Sequence, residues 1–319
     1  MQFLINCFAT LLVLATFLDP SSVHALDGLK VSRDVSLTGR IVFSAAHGDQ
    51  WKLYSVDIGT GKTSLLVDLP GKNLTPQFHP KGDTVIFVNS TEEASSLYTV
   101  DWDGTNIKKI ETKATRVANP DWLRDENRKL VYYYSEEKGP KQTNIYSYDL
   151  ETNEETRITE FDGRNSTPRI SPDGNLIAFS TSRFWPGWDV CIYNIATKRT
   201  QCPLKGMESF CRPTWSLDGK ALFYSVGAGD SISLGEYLVG SNQKTIIASP
   251  RGRTYDALPL AKGKLLYANN KRGTFDIYIQ TPTGVLSLLK APVDLRSPTY
   301  HKNSVMQQEI IRLKSQKDS

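Results

Sequence analysis

Residues 167–182 read TPRISPDGNLIAFSTS, and variants of this stretch recur along the chain. The stretch begins with a short segment around a proline, passes through an Asp-Gly turn at Gly174, and ends in a β-rich run. Glycine reaches positive φ without a Cβ clash, so this turn favours a tight β-hairpin. The other copies are TPQFHPKGDTVIFVNS from Thr75, NPDWLRDENRKLVYYYS from Asn119, RPTWSLDGKALFYSV from Arg212 and ALPLAKGKLLYANN from Ala257.

A second hairpin in each unit carries a marker residue, usually tyrosine, at nearly fixed spacing. The marker positions are Tyr54, Tyr98, Tyr146, Cys191, Tyr237 and Tyr278, which are 44, 48, 45, 46 and 41 residues apart. A period in the forties indicates one supersecondary unit used repeatedly, and four short strands per unit is the content of a β-propeller blade. The sequence therefore predicts an all-β fold, a six-bladed β-propeller of four-stranded blades.

Both ends of the repeat array are incomplete. The first unit begins at its second strand, whereas the last unit is followed by a lone proline-aromatic strand around Pro298. We expect these N- and C-terminal strands to pair and close the ring, which removes an exposed sheet edge. The blade prolines should lie at the start of each innermost strand, where a missing N–H costs little. The apolar residues two positions after these prolines should pack between neighbouring blades; they are Phe78, Trp122, Ile170, Trp215 and Tyr300.

Composition indicates a folded globular protein. The chain has 319 residues, of which 39% are hydrophobic and 23% are charged, unlike a disordered or multi-span protein. The formal net charge of +4 is mild and comes without dense basic runs, so no nucleic-acid partner is expected. We expect one large domain and a monomer.

Residues 1–25 have the pattern of a signal peptide. The apolar run over residues 8–18 is too short to span a bilayer, and Val23-His24-Ala25 has the form of a cleavage site. We expect cleavage after Ala25, with an uncleaved anchor or a buried helix as the alternatives, and no transmembrane span elsewhere. The predicted organisation is signal peptide 1–25, propeller 26–303 and a short C-terminal tail 304–319, in a periplasmic or secreted protein.

Export permits disulfides, and three cysteines follow the predicted signal peptide. Residues 190–203 have the pattern of a hairpin centred on Ala196-Thr197, which places Cys191 opposite Cys202 at a separation that a disulfide tolerates. Two alternatives follow. Either Cys191 and Cys202 form a disulfide and Cys211 is free, or Cys191 is a buried thiol that fills core space.

The motif x-P-x-(W/F)-S-P-D-G, followed by I-Y-x-x-D, resembles that of TolB-like six-bladed propellers of the TolB-type/PD40 repeat family. The resemblance covers about residues 37–302 and is carried by LTGRI at 37–41, TVDWDGTN at 99–106, FDGRNSTPRISPDGNLIAFSTSR at 161–183 and VDLRSP at 293–298. It implies the fold strongly and the function weakly, because the same blade occurs in scaffold proteins, peptidase gates and sugar lyases.

One departure from the family concerns the N-terminus. TolB itself has an α/β domain ahead of its propeller, whereas about a dozen residues separate Ala25 from the first blade here. We therefore expect a TolB-like propeller without that α/β domain. The resemblance still implies binding at the propeller mouth, where TolB-like proteins meet a peptidoglycan-associated lipoprotein, so the expected partner is an envelope lipoprotein-like protein or an acidic ligand.

Catalytic signatures are scarce. The sequence has no G-x-S-x-G nucleophile elbow, which argues against a prolyl-oligopeptidase-type enzyme. The histidines that follow the signal peptide, His47, His79 and His301, lack short metal-ligand spacing, and the last two are expected to be turn residues. No catalytic residue, metal or cofactor is predicted.

Basic residues recur at one position of the repeat. We call the blade proline, or the residue aligned with it, the blade anchor. The position four residues before the blade anchor is basic in four blades, and the other two have a cation nearby; the six are Lys72, Arg116, Arg164, Arg212, Arg253 and Arg296. In a propeller these connections surround one mouth of the central channel, so the cations would form a ring that favours carboxylates. The alternative is that they are solvated loop residues whose shared register follows from repetition.

The leading functional prediction is an exported, non-enzymatic binding module or scaffold that captures a protein or acidic ligand at its channel mouth. The alternative is a secreted lyase acting on acidic oligosaccharides, similar to oligogalacturonate lyases. Such a lyase would need a histidine-rich metal site, which three scattered histidines support poorly.

Overall fold

The computed structural model describes residues 26–32, 37–137, 139, 141–184, 187–248 and 251–302. The predicted signal peptide and the C-terminal tail therefore lie outside the described residues. Within the described ranges, all regular secondary structure is β-strand. No helix in these ranges is long and apolar enough to cross a membrane.

The described strands have two to eight residues each and follow one another through turns. In chain order they are β1 (Lys30–Val31), β2 (Arg40–His47), β3 (Gln50–Asp57), β4 (Thr63–Val67), β5 (Lys72–Phe78), β6 (Thr84–Ser90), β7 (Ser95–Asp101), β8 (Lys108–Lys109), β9 (Val117–Trp122), β10 (Leu130–Glu136), β11 (Thr143–Asp149), β12 (Glu154–Arg157), β13 (Asn165–Ile170), β14 (Leu176–Thr181), β15 (Asp189–Asn194), β16 (Thr200–Leu204), β17 (Phe210–Trp215), β18 (Ala221–Ala228), β19 (Ser231–Leu238), β20 (Gln243–Ala248), β21 (Thr254–Leu260), β22 (Lys264–Asn269), β23 (Asp276–Thr281), β24 (Gly284–Lys290) and β25 (Leu295–His301).

The strands form antiparallel sheets of the blade type, and the fold is an all-β propeller. Three sheets have four strands in chain order, namely β9–β12, β13–β16 and β17–β20. A fourth sheet, β21–β24, has the same form and gains β1 at its outer edge. The other eight strands belong to one sheet, so the described strands form five hydrogen-bonded sheets rather than the six separate ones that the repeat predicted.

The eight-stranded sheet explains this difference. It contains two four-stranded groups, β25-β2-β3-β4 and β5-β6-β7-β8, and the only described strand pairing between them is the parallel pair Trp51↔Lys72. Single parallel bridges also occur where neighbouring sheets meet elsewhere, at Ser95↔Arg116 and Ile232↔Arg253. The start of an inner strand thus contacts the preceding hairpin at these three places. At Lys72 the contact is a parallel pairing between two strands, which joins the two groups into one sheet.

The strands from the two ends of the described chain pair with each other. β25 lies antiparallel to β2, with Ile41 opposite Tyr300 and Val42 opposite Thr299. The innermost strand of this four-stranded group therefore comes from the C-terminal part of the chain, which is the closure that the incomplete ends of the repeat predicted.

The apolar residues two positions after the blade prolines pack between neighbouring groups of strands. Phe78 lies in one apolar cluster with Val42 and Leu53 of the preceding group. Trp122 is fully buried, and its indole Nε1 donates a hydrogen bond to the carbonyl oxygen of Gln77 at 3.0 Å. Ile170, Trp215 and Tyr300 each join a cluster shared with the preceding group in the same way. The predicted packing role of these residues is confirmed.

The tyrosine marker has a local cause, which is stacking across the hairpin. In four groups the marker ring stacks on an aromatic residue of the second strand, at centroid distances of 6.2, 5.6, 6.2 and 5.8 Å; the pairs are Phe43–Tyr54, Phe87–Tyr98, Tyr133–Tyr146 and Tyr267–Tyr278. Cys191 takes the marker position opposite Phe179. The second strand therefore supplies the ring that selects an aromatic partner.

The marker assigned to Tyr237 is wrong by two residues. Tyr237 lies opposite Leu222, whereas Gly235 lies opposite Tyr224 and holds the marker position. The ring of Tyr224 fills the space over Gly235, since a Cβ there would lie 2.4 Å from the ring. A shift of two residues keeps the side chain on the same face of a strand, so alternation could not reveal the error.

Candidate functional site

Each innermost strand contains a β-bulge at the same place. The register of the inner strand against the second strand shifts once in all six groups. The residue just before the anchor position has positive φ there, between 49° and 59°, and in no group is it glycine; these residues are Thr75, Asn119, Thr167, Arg212, Asp256 and Ser297. A bulge re-aims the bulged residue out of the ladder.

The bulges correct the predicted position of the prolines. Pro120, for example, is the fourth residue of β9 rather than its first. Proline is tolerated there because the bulge interrupts the ladder that its missing N–H would otherwise weaken. A left-handed backbone conformation at a non-glycine residue costs roughly 1–3 kcal/mol, so it persists only where the surrounding structure holds the backbone in that conformation.

The six bulged residues line one narrow cavity in the central channel. The cavity measures about 30 Å³, and a water molecule needs roughly 10–15 Å³ of such space. At this level the channel admits about two water-sized particles and not a peptide or an oligosaccharide. The cavity is therefore a site for a small species only.

Asp256 is the centre of a buried ion-pair network beside this cavity. Its carboxylate accepts from the Arg212 guanidinium and, at 3.3 Å, from Nε of Arg296. The backbone N–H of Ser297 donates to it at 3.0 Å. Burial alone would raise the pKa of the Asp256 carboxyl, but the charges of Arg212 and Arg296 hold this pKa well below its usual range.

A second carboxylate lies across the channel. Asp121 is buried, accepts from the backbone N–H of Ile170 at 3.0 Å, and lies 3.5 Å from the guanidinium of Arg124. Between this pair and Asp256 lies Arg169, which donates to the carbonyl oxygens of Pro168 at 3.0 Å and Pro120 at 3.4 Å. Burial lowers the pKa of the Arg169 guanidinium.

The structure divides the six basic residues that the sequence grouped together. Arg212 and Arg296 lie at the channel network, where both contact Asp256. The other four lie at or just before the starts of inner strands; they are Lys72, Arg116, Arg164 and Arg253. Along the strand they precede the bulge position of Arg212 by three residues, about 10 Å, and the position of Arg296 by two residues, about 7 Å. The sequence predicts a single ring because each cation lies close to the same repeat position.

The four cations at the strand starts have different surroundings. Lys72 and Arg164 are exposed, and Arg116 donates to the carbonyl oxygen of Glu92 in the preceding hairpin. Arg253 pairs at 2.5 Å with Asp230, whose side chain is 93% exposed. These four residues, which we call the rim cations, leave positive charge at one end of the inner strands.

A wider depression lies at the opposite ends of the inner strands. Its volume is about 610 Å³, and apolar side chains contribute to its lining, among them Trp215, Leu217 and Tyr300. Basic residues share this lining, including Lys262 and Lys264. The sequence does not predict this depression. Its lining residues lie in turns of different length after the anchors, so they do not share one position of the repeat.

The histidines of the inner-strand turns contact the backbone. Nε2 of His79 lies 3.2 Å from the carbonyl oxygen of Arg128, and Nε2 of His301 lies 3.1 Å from that of Pro80. This agrees with the predicted role as turn residues. Among the residues that the structure describes, no group of three or more His, Cys, Asp or Glu side chains is placed to hold a metal ion.

Cys191 and Cys202 form a disulfide, and Cys211 is a free, half-buried thiol. The neighbouring pairs Ile192↔Gln201 and Tyr193↔Thr200 have the register that the hairpin pattern predicted. Cys191 is at the same time buried in an apolar cluster, so it fills core space as well.

Removing this disulfide should destabilise the protein moderately. The disulfide joins residues 11 apart in sequence. Closing a loop of this size lowers the conformational entropy of the unfolded chain, which raises the free energy of unfolding by about 2–3 kcal/mol. We expect the double variant Cys191→Ala/Cys202→Ala to lose this much in urea unfolding, while Cys211→Ala loses less than about 1 kcal/mol. A wild-type unfolding midpoint that is the same with and without reductant would contradict the prediction.

Comparison with known proteins agrees with this fold. The family model of the TolB β-propeller domain, PD40, matches residues 21–258. The Tol-Pal system protein TolB of Francisella tularensis subsp. holarctica is 37% identical over 101 residues, which are 31% of this chain and 22% of that protein. The match thus spans only about a fifth of the length of that relative.

Solved structures show the same architecture. TolB from Acinetobacter baumannii superposes with a TM-score of 0.70 at 17% identity, covering 82% of this chain and 66% of that one. A putative TolB from Agrobacterium tumefaciens gives a TM-score of 0.65 at 15% identity, covering 81% and 91%. At these identities the likeness concerns the fold alone. Since the family model covers most of the sequence, the chain belongs to the TolB β-propeller domain family.

Proposed function

We propose that this protein is an exported, non-enzymatic binding module that captures a protein or acidic ligand at the channel mouth formed by the starts of the inner strands. The observation that carries the proposal is the set of rim cations, Lys72, Arg116, Arg164 and Arg253, at one end of those strands. A concave, positively charged mouth concentrates carboxylate-bearing partners and orients them on approach. Arg212 and Arg296 contribute less to this field, because both are paired with Asp256.

We further infer that the ring has six blades. The eight-stranded sheet would then be two blades, since a single parallel pair is the only described strand pairing between its two four-stranded groups. Six inner strands with six bulges at the same place support this count. Each rim cation then belongs to a different blade, and the four surround the mouth instead of lying along one side.

The nature of the partner is inferred from the relatives. One curated relative is a Tol-Pal system protein, so we propose an envelope protein of lipoprotein type as the partner and the periplasm as the compartment. The protein would act there as a monomer after removal of residues 1–25. The lyase alternative is not carried forward, because no described cluster of side chains supplies the metal site that it would need.

The proposal is tested by removing the rim charge. We expect the triple variant Arg116→Ser/Arg164→Ser/Arg253→Ser to retain its Tm within about 3 °C, because rim charges contribute little to stability. Its capture of acidic proteins from an envelope extract, measured by pull-down and mass spectrometry, should fall about tenfold, and the residual binding should depend less on salt.

The matched control removes as much positive charge from turns elsewhere in the propeller. The triple variant Lys62→Ser/Arg199→Ser/Lys220→Ser changes three exposed residues that do not lie at the starts of the inner strands. This variant should retain wild-type capture. Equal capture by the rim variant and the wild type, or equal losses in both triple variants, would refute the rim as the binding surface.

A further inference from the structure

The channel network carries more positive than negative charge. Four guanidiniums, those of Arg124, Arg169, Arg212 and Arg296, face two carboxylates, those of Asp121 and Asp256. Asp121 is paired with Arg124, and Asp256 is shared by Arg212 and Arg296. The described part of the channel therefore carries an excess of two positive charges.

Arg169 is the guanidinium without a direct ion pair. It donates hydrogen bonds to the carbonyl oxygens of Pro168 and Pro120, and Asp121 and Asp256 act on it only from beyond 4.0 Å. The side chain is half-buried and lines the narrow cavity. A charge removed from water is costly unless it is paired, and two carbonyl oxygens offer only dipoles. The cavity wall thus offers an anion a partly desolvated partner.

The cavity also fixes the size of the anion. A space with room for about two water molecules accommodates one chloride ion or one carboxylate group. The hydroxyl oxygen of Thr75 belongs to a residue of the same wall and has no hydrogen-bond partner among the described residues. A hydroxyl is able to donate to an anion, in addition to the guanidinium.

We propose that one small monovalent anion, chloride or a carboxylate, binds in the central channel against Arg169. The bound anion neutralises part of the excess charge of the network and thereby stabilises the inner strands that carry it. This site is separate from the rim cations, because it lies at the bulges within the strands. Its existence does not depend on capture of a partner at the mouth.

Thermal unfolding at constant ionic strength tests the site. Sodium gluconate, whose anion is a much bulkier carboxylate than formate, is replaced stepwise by sodium chloride in one arm and by sodium formate in the other. We expect the wild-type Tm to rise saturably in at least one arm, since a ligand that binds only the folded state stabilises it. The arm with the lower half-saturating concentration identifies the preferred anion.

Two variants locate the effect. In Arg169→Gln the half-saturating concentration should increase by about tenfold or more, because a charge-assisted hydrogen bond is lost. The control Arg199→Gln changes an exposed arginine of the same four-stranded group and should behave as wild type. A wild-type Tm that is indifferent to both salts, or an unchanged response in Arg169→Gln, would overturn the proposal.

If Arg169→Gln does not fold, ³⁵Cl NMR of the wild-type protein decides the question. Chloride exchanging with a protein site should broaden the ³⁵Cl resonance, and formate should remove the excess linewidth by competition. Absence of excess broadening together with absence of a formate-dependent Tm rise would refute the site.

Discussion

Replacing Asp256 by asparagine is expected to lower the free energy of unfolding by about 3–5 kcal/mol, the usual cost of removing one partner from a buried ion pair. The carboxylate contacts both Arg212 and Arg296 and accepts a hydrogen bond from the backbone of Ser297. Asparagine has nearly the same shape but no charge, so two guanidiniums would lose their only carboxylate among the described residues. Urea unfolding at pH 7 measures the difference.

The matched control is Asp230→Asn. Asp230 also pairs with an arginine, Arg253, but its side chain is 93% exposed, so its loss should cost less than about 1 kcal/mol. Equal losses in the two variants would show that the channel pair is no more important than a surface pair.

The effect of Asp256 should depend on pH in a defined direction. Its pKa is lowered in the folded state, so its contribution is fully present above the unfolded value of about 3.9 and is lost as pH falls towards the folded value. The stability difference between wild type and Asp256→Asn should therefore be constant from about pH 5 to pH 7 and shrink below about pH 4. A difference that grows on acidification would contradict this assignment.

Replacing Arg40 by methionine should have an effect of similar size, about 3–5 kcal/mol, for a different reason. Arg40 is fully buried at the start of β2 and donates to the carbonyl oxygens of Trp102 at 3.0 Å and Gly82 at 3.1 Å. Its guanidinium carbon lies 4.9 Å from the ring centroid of Phe78 and 5.0 Å from that of Trp102. Methionine would fill much of the space but leave both carbonyl groups without this donor.

Arg40 remains charged at neutral pH, although burial lowers the pKa of its guanidinium to about 10. The control is Arg183→Met, because Arg183 is exposed and lies 5.8 Å from the ring of Phe161, where a cation–π contact contributes at most about 1 kcal/mol. Chemical unfolding of both variants distinguishes the two cases. If Arg40→Met loses no more stability than Arg183→Met, the buried guanidinium does not hold the first two groups of strands together.

Much of the fold could be predicted from the sequence because its signals are local. The turn glycines, the alternation of the strands and the period in the forties each depend on neighbouring residues of one unit. The position of Phe78 and Trp122 between blades follows from the two-residue periodicity of a strand. The hairpin register at Cys191 and Cys202 follows from the centre of a short turn.

The candidate site could be predicted only in part. The residue before each anchor is polar in every unit, and this pattern was available as a signal for residues that face a channel. Asp256 was missed because no proline follows it, so its unit lacked the marker of the others. The grouping of Arg212 and Arg296 with the rim cations failed for a related reason, since sequence distance does not show on which side of a bulge a side chain lies.

The sequence by itself determined the repeating unit, its β-strands and the closure of the ring, because local turn chemistry and strand periodicity are encoded within each copy. Only the tertiary structure decided how the copies meet. It brought Arg124, Arg169, Arg212 and Arg296 from different units around two carboxylates, and it set the width of the channel that they share. Charge and space at the centre of a ring depend on distances between units, which no single copy of the repeat specifies.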